Sequence, residues 1–215
     1  MLDTETKDEI RKRLSAMRNE VEILFFPGPD ENSIRLHELL AELSGITPKL
    51  KVVFYDETAP ETASFSIQNV PVMVFRGPGI KGDARFYGFP GGLEFPMFIE
   101  FIALAGSTER TGPLTGVIPL VKDTLLVESL VSPTCHFCPT AAYLTLKLAT
   151  MGEHIKGYVY EIQEFPHLAQ KYQVQAVPRT IINEGKLDIR GAQPEDVLAM
   201  LIKKMLTGQL NTNNN

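Results

Sequence analysis

The chain has two cysteines, and their spacing is the feature of the sequence that most directly suggests chemistry. Cys135 and Cys138 form a Cys-x-x-Cys pair, followed directly by Pro139. Such a pair can cycle between dithiol and disulfide, ligate a metal or form an inert bridge. A bridge over two residues closes too small a loop to remove much entropy from the unfolded chain. A chain of 215 residues can also fold without a covalent staple.

Metal and haem ligation fit the pair less well than redox exchange does. A structural zinc site usually has four ligands, whereas this pair supplies two. His136 lies between the cysteines and would point elsewhere, and His154 and His167 are distant in sequence. Attachment of c-type haem needs a histidine directly after the second cysteine, where Pro139 stands. A redox dithiol is therefore favoured, with a zinc site and an inert pair as the alternatives.

The order of the elements around the pair indicates which sulfur reacts first. An apolar run ending near Val131 predicts a strand, and a helical stretch follows the cysteines. We expect Cys135 at the start of that helix, where backbone N–H groups and the helix dipole favour a thiolate. Cys138, one turn further on, would then resolve a mixed disulfide formed on Cys135. A protonated His136 would add to this stabilisation, and the alternative is a solvated polar residue.

Composition excludes several classes of protein. The chain carries 21 Lys and Arg against 26 Asp and Glu, a formal charge of −5, which argues against a nucleic-acid-binding face. No apolar run approaches the roughly 18 residues of a membrane span. The first twenty residues are too charged for a secretory signal. These features predict a soluble, intracellular protein of the cytoplasm.

The chain repeats itself at an offset of about 107 residues. Each copy predicts strand, helix, strand, helix, strand, strand, helix, and therefore a mixed β-sheet flanked by helices. Val70-Pro71 and Val177-Pro178 occupy matching places in the two copies. Gly28 and Glu31 occupy the places that Cys135 and Cys138 hold in the second copy. The first copy can therefore carry out no dithiol chemistry.

The remaining segments set the predicted domain boundaries. Apolar residues at helical spacing before residue 21, with Thr6 and Glu9 at capping-box spacing, predict an N-terminal helix. We predict an α/β protein with one unit over residues 1–106, a linker over 107–123, a second unit over 124–208 and a disordered tail over 209–215. A G-x-G-x-x-G stretch at 77–82 precedes a second strand rather than a helix, so we interpret it as a hairpin loop.

The second unit resembles the thioredoxin superfamily, in which a cis-proline lies beside the Cys-x-x-Cys pair. The tandem arrangement resembles the protein disulfide oxidoreductases of thermophilic archaea and bacteria, also called glutaredoxin-like. It is still more similar to the N-terminal domain of the alkyl hydroperoxide reductase flavoprotein subunit. The similarity extends to about Leu206. The segments that carry it are Met1-Leu2-Asp3-Thr4, Leu39-Leu-Ala-Glu-Leu-Ser44, Gly88-Phe-Pro-Gly-Gly-Leu-Glu94-Phe95 and Ser132-Pro-Thr-Cys-His-Phe-Cys-Pro139.

This resemblance implies two fused thioredoxin-like folds, cis bonds at both Val-Pro pairs, and a substrate groove formed by Val177, Pro178, His136 and Phe137. The nucleotide-binding body of the flavoprotein is missing from this chain. The resemblance therefore implies no bound cofactor or metal beyond the redox-active pair, and electrons supplied by a separate flavoprotein reductase. Protein disulfides, such as that of a peroxiredoxin, would be the acceptors. A disulfide oxidase or isomerase and a non-enzymatic redox-sensing or chaperone-like module are the alternatives.

The proton of Cys138 needs an acceptor. Ser129 falls where the superfamily has a buried acid, and Glu128 is one residue away, which reverses its face on a strand and predicts that it faces solvent. The resemblance points instead to Glu94, across the interface between the units. Its apolar neighbours would raise its pKa if it were buried, and the alternative is an exposed glutamate in the first turn of a helix. Glu94 would approach Cys138 if the units pack face to face around a pseudo-twofold axis.

Overall fold

The structure, a computed structural model, describes residues 2–56 and 59–210, so the end of the predicted tail, 211–215, lies outside them. The predicted N-terminal helix is present as α1, Thr4–Leu14. Its cap differs from the expectation, because the Asp3 carboxylate accepts the Thr6 N–H at 2.7 Å. The predicted capping box of Thr6 and Glu9 is therefore wrong: the helix begins earlier, and Asp3 satisfies the free N–H.

The first unit has the predicted order of elements. Strands β3 and β4 pair antiparallel, which confirms that residues 77–82 form a hairpin loop rather than a dinucleotide site. The elements are β1 Val21–Phe26, α2 Glu31–Ser44, β2 Leu50–Phe54, α3 Glu61–Ser64, β3 Val72–Arg76, β4 Asp83–Tyr87 and α4 Glu94–Ala105.

The second unit repeats this order. The segment that joins the units contains a 3₁₀ helix, Pro113–Leu120, which packs Leu114 and Val117 into the core beneath the last helix. The joining segment thus contributes to the core of the second unit. The elements are β5 Leu125–Val131, α5 Cys138–Ala149, β6 Ile155–Glu161, α6 Pro166–Lys171, β7 Arg179–Ile182, β8 Leu187–Arg190 and α7 Glu195–Leu206.

All eight strands form one mixed sheet in the order β2-β1-β3-β4-β6-β5-β7-β8. The units meet where β4 pairs parallel with β6, with Tyr87 opposite Tyr160. Strand β6 is the counterpart of β2, so unlike edges of the two units join head to tail. A twofold axis would instead have placed equivalent strands against each other. The expected face-to-face packing about a pseudo-twofold is therefore wrong, because edge pairing satisfies backbone groups that both units would otherwise expose.

One apolar cluster crosses the seam between the units. Helices α1, α2, α4 and α5 cover one face of the sheet, and Phe86 and Phe98 of the first unit belong to the same cluster as Ala142 and Val159 of the second. Strands β1, β4, β5 and β6 all run in the same direction. The helices that follow β1, β4 and β5 therefore begin at the same end of the sheet, beside the carboxyl ends of these strands, and the cysteine pair lies there.

Candidate active site

Cys135 and Cys138 form a disulfide with their Cα atoms 5.4 Å apart. Cys138 is fully buried, whereas Cys135 is partly exposed. Helix α5 begins at Cys138, so the expectation that Cys135 starts the helix is wrong. Cys135 lies in a separate turn, in which its N–H donates to the Ser132 carbonyl oxygen at 3.1 Å. One sulfur is thus reachable by a partner protein and the other only from within the fold.

A groove begins beside the partly exposed Cys135. The Val177-Pro178 bond is cis, as is Val70-Pro71, which confirms both expectations. The Cys135 Sγ lies 3.6 Å from the Val177 carbonyl oxygen. His136 is exposed and the Phe137 side chain is 70% exposed, so both stand at the surface beside the pair. A cavity of about 330 Å³ continues along Gln173, Gln175, Ala176, Val177, Pro178, Arg179, Arg190 and Gly191.

Glu94 is the first residue of α4 and is fully buried. Neither of its carboxyl oxygens has a hydrogen-bond partner among the residues that the structure describes. Burial raises the pKa of Glu94 to about 8, and the charges of Glu161 and Glu164 add to the rise. The expected rise is therefore confirmed, and the alternative of an exposed helix-terminal glutamate is wrong. Helices α4 and α5 pack together in one cluster that contains Phe98 and Cys138. Glu94 and Cys138 are therefore the first residues of two neighbouring helices, and they lie at the same end of the sheet.

Two glycines of the loop before α4 explain how Glu94 is placed. Gly88 has a φ of +92°, and a Cβ there would lie 2.8 Å from a Glu164 carboxyl oxygen. Gly92 has a φ of +52°, and a Cβ there would lie 2.5 Å from the Pro133 carbonyl oxygen. That same carbonyl accepts the Leu93 N–H at 3.0 Å. The glycines thus let the loop of the first unit lie directly on the loop that precedes Cys135.

Two further carboxyl groups lie at this junction, and sequence reasoning missed them. Glu161 ends β6 and is buried, and burial raises its pKa to about 7. Burial also raises the pKa of Glu164. Glu164 accepts the Phe89 N–H at 2.7 Å, and its own N–H donates to Glu161 at 3.0 Å. The signal available in the sequence was a glutamate at the end of an apolar strand, a place where carboxylates are uncommon.

Ser129 and Glu128 lie on opposite faces of β5. The Ser129 hydroxyl is buried within hydrogen-bond distance of the Thr145 and Thr180 hydroxyls, at 2.7 and 2.9 Å. Glu128 is only 6% exposed and accepts the Tyr172 hydroxyl at 2.7 Å. The expectation that Glu128 faces solvent is therefore wrong, because residues around α6 cover that face. The sheet separates Glu128 from the face on which Cys138 lies.

The first unit reproduces this geometry without sulfur. A Cβ on Gly28 would lie 3.2 Å from the Pro71 nitrogen, so Gly28 stands beside the cis bond as Cys135 does in the second unit. Asp30 caps α2 by accepting the Ser33 N–H at 2.8 Å, and the Ser33 hydroxyl accepts the Gly28 N–H at 2.8 Å. A capped helix therefore stands where the second unit carries its cysteines.

Residues 2–56 and 59–210 contain neither a metal centre nor a membrane-spanning helix. No group of three or more His, Cys, Asp and Glu residues in these ranges is arranged to hold a metal ion. Within the same ranges, no helix combines the length and apolar character needed to cross a membrane.

Sequence comparison finds similarity to proteins with thioredoxin domains and to alkyl hydroperoxide reductase subunits. A family model described as "Thioredoxin domain" matches residues 127–203. The chain is 24% identical over 203 residues to the AhpF subunit of alkyl hydroperoxide reductase from Staphylococcus aureus, and 23% identical over 210 residues to that of Escherichia coli. These alignments cover 94% and 97% of this chain. The chain spans 38% of the length of these relatives.

Solved structures share the fold over nearly the whole chain. A protein disulfide oxidoreductase from Aeropyrum pernix has a TM-score of 0.84 and 24% identity, covering 100% of this chain and 98% of that chain. The NTD_N/C domain of alkylhydroperoxide reductase AhpF from Enterococcus faecalis has a TM-score of 0.81 and 22% identity, covering 94% of this chain and 100% of that domain. These likenesses show two fused thioredoxin-like folds. Residues 127–203 match the thioredoxin domain, and the chain as a whole shares the fold of these disulfide oxidoreductase and AhpF structures.

Proposed function

We propose that the chain passes electrons from a separate flavoprotein disulfide reductase to protein disulfides in the cytoplasm, with a peroxiredoxin as the favoured acceptor. The observation that carries this proposal is the pairing of a partly exposed Cys135 with a fully buried Cys138. Further support comes from the alkyl hydroperoxide reductase relatives, of which this chain matches 38%.

The reaction proceeds by two exchanges. The Cys135 thiolate attacks one sulfur of the partner's disulfide, and the other partner sulfur leaves as a thiolate. Cys138 then gives its proton to Glu94, and the resulting thiolate attacks the Cys135 sulfur. The bond between Cys135 and the partner breaks, and the second partner sulfur also leaves as a thiolate. Both partner thiolates then take up protons from water. The chain ends as the Cys135–Cys138 disulfide, which the dithiol of the flavoprotein reduces by the same steps in reverse.

The groove beside the cis bond is the docking place for the partner's chain. An extended segment lying along Val177 and Pro178 brings its disulfide to the Cys135 sulfur, which is 3.6 Å from the Val177 carbonyl oxygen. His136 and Phe137 border the same place, and the exposed Phe137 ring offers apolar surface to the segment.

The two units have different roles in this proposed reaction. The unit over residues 124–208 carries out the exchange, and the unit over residues 1–106 supplies Glu94 while its own Gly28 and Glu31 take no part. The segment over 107–123 joins the two.

The direction of electron flow is tested by the reduction potential, measured against glutathione, together with turnover in both directions. If the chain is a reductase, its reduction potential should lie near the thioredoxin value of about −270 mV. It should also reduce insulin or a peroxiredoxin when coupled to a flavoprotein reductase. A potential near about −120 mV, with rapid oxidation of reduced ribonuclease, would support the disulfide oxidase instead. A Cys135→Ser variant is the control in each assay, and it should be inactive.

A further inference from the structure

Three carboxyl groups share the buried junction between the units. Glu94 opens α4, Glu161 ends β6, and Glu164 lies three residues beyond Glu161. Both Glu94 oxygens, one of Glu161 and one of Glu164 are buried without a hydrogen-bond partner among the described residues. Neighbouring carboxyls in such a place raise one another's pKa values, because ionising all of them would bring like charges together in a buried site.

A half-open cleft of about 300 Å³ connects this junction with the surface. Glu161 and Glu164 line it, whereas Glu94 does not. Asn32 and Arg35, from the first turns of α2, also line the cleft. Glu161 and Glu164 thus both line the cleft and lie close enough to the fully buried Glu94 for their charges to raise its pKa.

The charges that act on these carboxyls come from α2 and from the end of β6. On α2, Arg35 lowers the pKa of Glu164 while Asp30, the cap of that helix, raises it. The Arg35 guanidinium is also held 4.8 Å from the centre of the Phe89 ring. Glu161 adds to the rise in the pKa of Glu94 from the end of β6. Among the described residues that line the cleft, Arg35 is the one cation beside Glu161 and Glu164, so the positive charge does not offset the carboxyls.

We propose that Glu161 and Glu164 form a proton path between Glu94 and the solvent of this cleft. The path rests on the proposed role of Glu94 as acceptor of the Cys138 proton. When Cys138 attacks the mixed disulfide, its proton moves to the Glu94 carboxylate, then to Glu161 or Glu164, and from there to water. No further oxidant or reductant takes part, because the partner's disulfide receives both electrons.

The test is Glu161→Gln, which removes the transferable proton and keeps an oxygen to accept the Glu164 N–H. Multiple-turnover reduction of insulin with a thiol reductant should fall about tenfold near neutral pH. Imidazole, which is small enough to enter the cleft, should restore the rate in proportion to its concentration, whereas a bulky buffer of similar pKa should not. Alkylation of Cys135 should be unchanged. Glu164→Gln should show the same loss and the same rescue, and it serves as the test if Glu161→Gln does not fold.

Glu128→Gln is the matched control, because Glu128 is also buried but accepts a hydrogen bond from Tyr172 on the other face of the sheet. It should turn over normally and respond equally to both buffers. Glu94→Gln combined with Glu161→Gln should be no slower than Glu94→Gln alone. A Glu161→Gln protein that turns over at the wild-type rate, or multiplying losses in the double variant, would overturn the proton path. A wild-type protein without disulfide reductase activity would instead overturn the proposed function.

Discussion

A proton acceptor for Cys138 would need a suitable position and a titratable group. Ser129 has the expected position, and Glu94 has the titratable carboxyl. Ser129 stands at the expected place in the strand before the motif, but its hydroxyl is engaged with those of Thr145 and Thr180. Glu94 comes from the other unit, and burial raises its pKa to about 8. An acid–base group is most effective when its pKa lies near the working pH. In the proposed mechanism, the Glu94 carboxyl of the first unit therefore takes the place of an acid at position 129 of the second unit.

Glu94→Gln should slow the step that needs the Cys138 thiolate by roughly 10²-fold or more. The loss should depend on pH, because the wild-type carboxyl changes its charge near neutral pH, while alkylation of Cys135 should be nearly unaffected. Stopped-flow measurement of disulfide reduction is the assay, and Glu100→Gln, an exposed glutamate of the same helix, is the control. Wild-type rates for Glu94→Gln between about pH 6 and 8 would reduce Glu94 to a structural role.

The same carboxyl makes stability depend on pH. The pKa of Glu94 rises from 4.5 to about 8 on folding, so the folded state binds the extra proton within this range. The contribution to stability is present below the lower value and is lost as the pH rises through the upper one. Urea unfolding at pH 5 and pH 8 measures this effect. Relative to the wild type, the free energy of unfolding of Glu94→Gln should be higher at pH 8 than at pH 5, by on the order of 2 kcal/mol. A difference that does not change with pH would contradict the assignment.

At the scale of elements, the loop between β4 and α4 couples the units. Gly88 and Gly92 accept positive φ values and leave room for Glu164 and the Pro133 carbonyl. The order of strands and helices, the hairpin over 77–82 and both cis bonds could be predicted from pattern and resemblance. The start of α5 could not be predicted. The turn before Cys138 depends on a backbone hydrogen bond from the Cys135 N–H to the Ser132 carbonyl oxygen, and no residue type in the sequence indicates that bond.

The first turn of α2 separates a structural role of the first unit from a catalytic one. Asp30→Ala removes the cap that accepts the Ser33 N–H, so the free energy of unfolding should fall by about 1 kcal/mol. Turnover should stay at the wild-type value, because the capped turn carries no sulfur. Urea unfolding and insulin reduction measured on one preparation test both parts. A large loss of turnover in a folded Asp30→Ala protein would show that this turn helps to dock the partner.

At the scale of the whole molecule, the continuous sheet is the feature that the sequence did not predict. Parallel pairing of β4 with β6 has no short-range signature, because the residues of each strand indicate a strand but not its partner. The burial of Glu161 and Glu164 follows from this seam, which is why sequence reasoning missed them. The rings of Tyr87 and Tyr160 stack across it with their centres 4.3 Å apart.

The seam should make the two units unfold together. The cluster that contains Phe98 and Cys138 belongs to both, so neither unit can open without exposing the core of the other. We expect a single transition in urea, with coincident curves from far-ultraviolet circular dichroism and tyrosine fluorescence. Two separated transitions would show that the units are independent and that the seam contributes little.

The most direct test of the account is the capture of a mixed disulfide. Cys138→Ser should leave Cys135 able to attack a partner but unable to release it, so a covalent adduct should accumulate through Cys135 and disappear on adding dithiothreitol. Mass spectrometry of the digested adduct identifies the linked cysteine, and Cys135→Ser should trap nothing. Full multiple-turnover activity of Cys138→Ser with a thiol reductant, or an adduct formed through Cys138 in the Cys135→Ser protein, would contradict the account.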